Sequence, residues 1–425
     1  MNRFAKFICE ADFFDQKAGG MMQMTSGLIM LATLGGWWPT GGNVIPETQA
    51  PVATVLPGDA LQQSVIGVDT RKIIGATKTY PYRAIVRIRV HFPKLAANID
   101  VQGTGTLIGN DTVLTAGHVL YDRTLGGWAT RVQVAPGAGK TGTPYGIVSG
   151  RQWTVPTQYS STGKASADLG VIKLATPIGK TTGYLGLTSA MPAGTRVTLA
   201  GYAVAAGGNL GVATGNLQTV SGGMATYTLD TSAGDSGSGL FSTTHRIGVV
   251  HTLGSSTMNE GVALTAAWVA WLNQWRAKAT SVAANHLVTI TKPLTIWQTV
   301  TFQRKVATAR LGTVYRVRRE YLAPNGYYYD ALYDGTGKLR GVINRGAVTT
   351  LKATPVRQWQ VVRRVGYTRW QNLFWTKRKG TTTAWRGRRV YVATRYRLGN
   401  GVSYASLYTR PGGTWLGFVN VSALG

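Results

Sequence analysis

The stretch TSAGDSGSGLF, residues 231–241, sets Ser236 at the centre of Gly234-Asp235-Ser236-Gly237-Ser238. A serine hydroxyl is a weak nucleophile. It attacks only when a base takes its proton and backbone N–H groups hold the oxyanion that forms. Small residues on both sides let the chain turn sharply, so that the N–H groups of Gly234 and Ser236 can point at one spot. A glycine-rich surface turn has the same composition. The pentapeptide therefore identifies a nucleophile only if a base and its orienting acid lie elsewhere in the chain.

Both candidates lie upstream. His118 follows the apolar run of Leu114-Thr115-Ala116-Gly117-His118-Val119, which puts the imidazole at a strand end. Asp168, in Ala167-Asp168-Leu169-Gly170-Val171-Ile172, stands at the entrance to another apolar strand. A carboxylate buried there needs a partner, and an imidazole N–H is a suitable one. The order His, Asp, Ser is one of several in which this chemistry occurs. Asp235 adjoins Ser236 and cannot also orient His118, because its side chain leaves the turn in another direction.

Around these residues the chain reads as short strands. Arg83–Val90 alternates apolar and basic residues, as a half-buried strand does. Further strands are expected at 103–108, 112–115, 169–174, 196–200 and 247–251. Thr265 is placed to cap a helix reaching about Lys278, with Trp268, Leu272 and Trp275 on one face. Many short strands closed by one helix predict an all-β barrel domain. Hydrophobic residues make up 44% and charged residues 14%, which excludes a disordered chain. No metal-ligand cluster or nucleotide-binding loop stands out, so neither metal nor cofactor is expected.

With these residues in place, the chain resembles the bacterial glutamyl endopeptidase group of trypsin-like serine proteases. The resemblance spans Ser64 to Lys278. It rests on SVIGVDTRKII at 64–74, YPYRAIV at 80–86, TAGHVLYD at 115–122, ADLGVIKL at 167–174, GYLG at 183–186, LDTSAGDSGS at 229–238 and VHT at 250–252. It implies a chymotrypsin-like double β-barrel. It implies His118 as general base, Asp168 as its orienter and Ser236 as nucleophile, with Gly234 and Ser236 as the oxyanion hole. Protein or peptide substrates follow from it. In that group a histidine on the strand after the nucleophile and a hydroxyl five residues before it hold the substrate glutamate. Here those positions are His251 and Thr231. The group also suggests that the freed α-amino group of the mature chain, here at Ser64 or Val65, approaches the same pocket. Two features depart from parts of the group. Asp235 is the trypsin-like choice at a position where an amide is common, and the disulfides of the bacillary members are absent. A surface adhesin that uses the protease fold only as a scaffold is the alternative reading.

The flanking segments differ in character. Residues 1–38 carry Arg3, Lys6 and Lys17 ahead of the apolar run Gly27–Trp38. That run suits a signal-peptide core better than a bilayer span, with a membrane anchor as the alternative. Cys9, the only cysteine, falls in this leader, so no intrachain disulfide is expected. Residues 39–63 read as a propeptide or spacer, and 279–287 as a linker. Beyond it one unit occurs twice. Tyr321, Asn325, Gly326, Tyr329, Leu332 and Tyr333 recur 75 residues later as Tyr396, Asn400, Gly401, Tyr404, Leu407 and Tyr408. Asn-Gly between aromatic runs signals a hairpin, and repetition signals modules. The two units, 288–350 and 351–425, resemble the small SH3-like, GW-type wall-binding barrels of Gram-positive surface proteins, although neither copy has the Gly-Trp dipeptide.

Charge sets the expected partner of this tail. From Asn285 onward there are 24 Lys and Arg against 3 Asp and Glu, a net of +21, whereas the whole chain carries +29. Such a field favours a polyanion. In an exported protein an anionic wall polymer such as teichoic acid is expected rather than nucleic acid. The chain is accordingly expected to be a secreted, wall-associated monomer.

Overall fold

The computed structural model describes residues 53–55, 65–140 and 142–425. The expected signal segment 1–38, Cys9 and Ser64 lie outside the described residues. Six antiparallel strands close the first barrel in the order Ile99–Leu107, Ile85–His91, Arg131–Pro136, Val148–Thr154, Gly170–Leu174 and Thr112–Thr115, the last pairing back to the first. A second ring closes as Arg246–Gly254, Gly239–Phe241, Arg196–Gly201, Leu210–Ser221, Met224–Tyr227 and Asn259–Ala263. Closure leaves no exposed sheet edge within either ring. Within the stretch expected as a propeptide or spacer, Ala53–Val55 pairs in parallel with Ile99–Val101.

The strand Ile99–Leu107 ties the barrels together. Its polar residues Gln102, Thr104 and Thr106 alternate with apolar ones, which in an isolated sheet would mark a solvent face. All three are buried. Gln102 Nε2 donates to the Tyr202 carbonyl at 2.7 Å, and Tyr202 N donates to Thr104 Oγ1 at 2.8 Å. Thr104 Oγ1 donates in turn to the Gly234 carbonyl at 2.8 Å. Each buried hydroxyl or amide with a partner avoids the penalty of an unsatisfied polar group. The seam is therefore polar, and it ends at the turn that carries Ser236. The helix Ala266–Ala277 follows the second barrel, with Thr265 accepting from Trp268 N as its N-cap and Leu272 buried.

Beyond the helix lie two antiparallel sheets built on one plan. The first runs Lys305–Thr308, Thr295–Trp297, Leu339–Asn344, Tyr328–Tyr333, Val314–Leu322, Thr280–Ile290 and Val348–Thr350. The second runs Thr354–Val361, Arg389–Arg397, Ser403–Tyr408, Trp415–Asn420, Thr368–Trp370 and Arg378–Thr381. Residues 279–287, expected as a linker, are instead the start of a strand. Thr280 through Ala283 and His286 through Thr289 pair with Leu322 back to Val314. The sequence there, with three Ala and with Ser281 and Asn285 among nine residues, has weak strand propensity, and pairing with Val314–Leu322 overrides it.

Each Asn-Gly hairpin docks on the body before it. At the first, Asn110 Nδ2 donates to the Pro324 carbonyl at 2.9 Å and Tyr328 Oη donates to the Ala175 carbonyl at 3.3 Å. Lys180 Nζ sits 3.4 Å from the centre of the Tyr327 ring. At the second, Gly399 N donates to Thr289 Oγ1 at 2.9 Å, and Asn400 packs against Gly312.

Candidate active site

His118 stands just past the strand Thr112–Thr115 and is almost fully buried. Asp168 caps the short 3-10 turn Ala165–Ala167 at the mouth of Gly170–Leu174. Both carboxylate oxygens serve His118. Oδ1 accepts from its backbone N–H at 2.8 Å, and Oδ2 lies 2.7 Å from Nδ1. A carboxylate on Nδ1 fixes the tautomer with the proton there and leaves Nε2 as the basic nitrogen. Gly117 makes this approach possible, because a Cβ on it would sit 2.9 Å from Asp168 Oδ1.

Ser236 is buried, and its carbonyl accepts from Thr104 N at 2.8 Å. The glycines around it have φ values that side chains resist, +101° at Gly234 and +88° at Gly237. A Cβ on Gly237 would run into Thr115 Oγ1 and the Thr104 carbonyl. This close packing sets the turn against the strand end that carries His118. The turn is held from the other side by the strand Arg246–Gly254. Gly237 N donates to the His251 carbonyl, and His251 N donates to the Ser238 carbonyl, each at 2.8 Å. The Gly234 N–H has no backbone acceptor among the described residues.

Thr231 and His251 are both fully buried. Thr231 Oγ1 and His251 Nε2 have no hydrogen-bond partner among the described residues. The other imidazole nitrogen, Nδ1, lies 2.6 Å from Tyr227 Oη, which also reaches the Glu260 carbonyl at 3.1 Å. Burial, with His118 nearby, pushes the His251 pKa down to about 3, so the ring is neutral at pH 7.

Three contributors were not foreseen from the sequence. Tyr227 lies behind His251 as described. Asp230 clamps the segment leading into the strand Lys72–Ile74, which pairs with Leu210–Val212 of the second barrel. Its Oδ1 accepts from Ile66 N at 2.9 Å, and its Oδ2 accepts from Thr70 N at 2.8 Å and Thr70 Oγ1 at 2.6 Å. Arg71 bridges Ser232 Oγ at 2.8 Å and Asp235 Oδ2 at 2.9 Å. Only the family string SVIGVDTRKII placed residues 64–74 near the pocket, and nothing in it marked Arg71 as a partner of Asp235. Among the described residues, no group of three or more His, Cys, Asp or Glu side chains is arranged to hold a metal ion.

The paired barrels and the histidine–aspartate pair beside a serine turn are those of a chymotrypsin-like hydrolase. The family model described as Trypsin matches residues 75–275. A glutamyl endopeptidase of Bacillus licheniformis is 34% identical over 256 residues, covering 56% of this chain and 78% of that protein. A protein of Bacillus subtilis named as an extracellular metalloprotease is 31% identical over 227 residues, 52% of this chain and 70% of its own. A solved structure of a Glu endopeptidase in complex with MPD is 30% identical, with a TM-score of 0.46, and covers 50% of this chain and 100% of that one. The chain belongs to the trypsin family of serine proteases and is a homologue of glutamyl endopeptidase.

Proposed function

We propose that the protein is a secreted endopeptidase that cleaves after Glu, and more weakly after Asp, through His118, Asp168 and Ser236. In this reading His118 Nε2 takes the Ser236 proton as Oγ attacks the scissile carbonyl. The N–H groups of Gly234 and Ser236 hold the oxyanion. The imidazolium, steadied by Asp168, then gives its proton to the leaving amine, and water repeats the cycle on the acyl-enzyme.

The observation that carries the Glu preference is the pair of orphaned polar atoms, Thr231 Oγ1 and His251 Nε2. Buried polar atoms without partners are costly, and a substrate that supplies the missing bonds recovers that cost. A glutamate carboxylate accepts from both if His251 carries its proton on Nε2. Tyr227 makes this tautomer accessible, since its hydroxyl can turn from the Glu260 carbonyl to donate to Nδ1. Asp is one methylene shorter and falls short of the same donors.

The proposal extends to the flanks. Residues 1–38 act as an export signal, and 39–63 as a propeptide ahead of the protease domain, 64–278. The two basic sheets are SH3-like repeats that hold the enzyme on an anionic wall polymer. Cell wall association and zymogen activation follow from that arrangement. The testing experiment is a cleavage map on a denatured protein substrate, beside a Ser236→Ala control. Cuts dominated by Glu, and absent from the control, are expected. A map dominated by Lys, Arg or large apolar residues overturns the Glu reading, and full turnover by the control overturns the serine assignment.

A further inference from the structure

Asp235 is buried immediately before the proposed nucleophile, and a buried carboxylate needs a cation or several donors. Its Oδ2 accepts from Arg71 at 2.9 Å and from the Ser232 N–H at 2.9 Å. Oδ1 lies against Gly201, where a Cβ would collide with it. Arg71 is itself only 11% exposed at its side chain. It is aimed by Asp69, which accepts from its Nε at 3.0 Å and from its Nη2 at 2.7 Å. The segment that carries it is clamped by Asp230, one residue before Thr231. The guanidinium thus spans from an N-terminal strap to both ends of the turn Ser232–Asp235.

We propose that Arg71 is the positioning residue of the nucleophile turn, an internal cation that neutralises Asp235 and holds residues 232–236 in their active shape. The proposal rests on the reading of Ser236 as nucleophile. Arg71 touches neither substrate nor reacting atoms. It acts through Asp235 and Ser232, by fixing the peptide groups whose N–H atoms face the oxyanion. The charged and titratable groups facing Asp235 are Arg71, Asp69 and the Tyr227 hydroxyl. Of these only Arg71 is positive. Burial already pushes the Asp235 pKa up to about 6 with the guanidinium in place. Removing the cation raises it further, and leaves an uncompensated charge beside Ser236 once the group ionises.

The test is the pH profile of kcat in R71M, D235N, R71M/D235N and S236A, with folded enzyme counted from the amplitude of its cooperative thermal unfolding, which does not depend on Ser236. The wild type is expected to gain activity as pH rises, since a general base accepts a proton only in its unprotonated form. R71M is expected to lose about a hundredfold in kcat per folded molecule at pH 8, the scale of losing one oxyanion donor. That loss shrinks toward lower pH, where Asp235 is protonated, so the profile turns bell-shaped. R71M/D235N, with no charge to compensate, is expected to recover at least tenfold at pH 8 and to lose the falling limb. A purely structural role predicts lower yield and lower Tm with an unchanged profile per folded molecule, and that result overturns the proposal. So does a double variant as inactive as R71M. If R71M gives no folded protein, R71Q decides. Glutamine can still hydrogen-bond but carries no charge, so a loss of about tenfold or more in kcat at pH 8 supports the proposal and wild-type kcat overturns it. Turnover by S236A would instead remove the reading beneath it, independently of the Arg71 variants.

Discussion

His251 is an imidazole held neutral in a site that has no room for its charge. Its folded pKa, about 3, lies below the ordinary value near 6.5. The stability that comes from burying the neutral ring is therefore fully present above pH 6.5 and drains away as pH falls toward 3. Within that window the loss approaches about 1.4 kcal/mol per pH unit. Urea denaturation at stepped pH measures it, and His251→Gln should flatten the slope between pH 6.5 and 4.5. An unaltered slope would assign the titration to another group. The same ring bears on specificity. His251→Ala is expected to lower kcat/KM for Glu substrates about a hundredfold, while labelling of Ser236 by a small fluorophosphonate changes less than tenfold. Equal losses in both would mean that the substitution damages the triad rather than the pocket.

At the scale of elements, the turn that carries Ser236 tolerates little change. Gly237 combines φ +88° with contact to Thr115 and the Thr104 carbonyl. A methyl group there meets backbone strain and overpacking together. Gly237→Ala should cost about 3 kcal/mol or more, read as a lower thermal midpoint, with activity lost alongside. An unshifted midpoint would show that the strands around the turn can yield. The strand Thr280–Ile290 has a consequence of its own. A tail fragment must begin near residue 279, because one starting at 286 lacks half the strand that pairs with Val314–Leu322.

For the whole molecule, charge is concentrated where the protease is not. A net +21 from Asn285 onward faces outward on sheets that also display exposed Trp359, with the Arg389 guanidinium 5.5 Å from its ring centre. Residues 279–425 should bind purified walls, and the affinity should fall steeply as salt rises past the point where the Debye length drops below about 10 Å. Walls stripped of teichoic acid should bind less. Equal binding to stripped walls would point to another ligand. The hairpin contacts at Asn110, Ala175 and Lys180 join the first sheet to the protease. Deleting the tail should therefore lower the thermal midpoint of the protease domain as well as its wall affinity.

Sequence alone determined the residue types of the candidate site and the periodicity of the strands that carry them. A nucleophile turn requires small residues in consecutive positions, and an apolar strand ending in His or opening on Asp is a local pattern. The repeated Asn-Gly hairpins were legible for the same reason, since turn chemistry is encoded within a few residues. Tertiary structure decided everything that depends on which segment covers which. Alternation along Ile99–Leu107 announced a polar face, but only barrel packing turned that face into a buried seam. Residues 279–287 lacked strand propensity and became strand because a partner was present. Arg71 and Asp235 lie 164 residues apart, and Tyr227 reaches His251 across a sheet. Such pairings leave no local trace, because their energy comes from desolvation and contact that exist only once the barrels have closed.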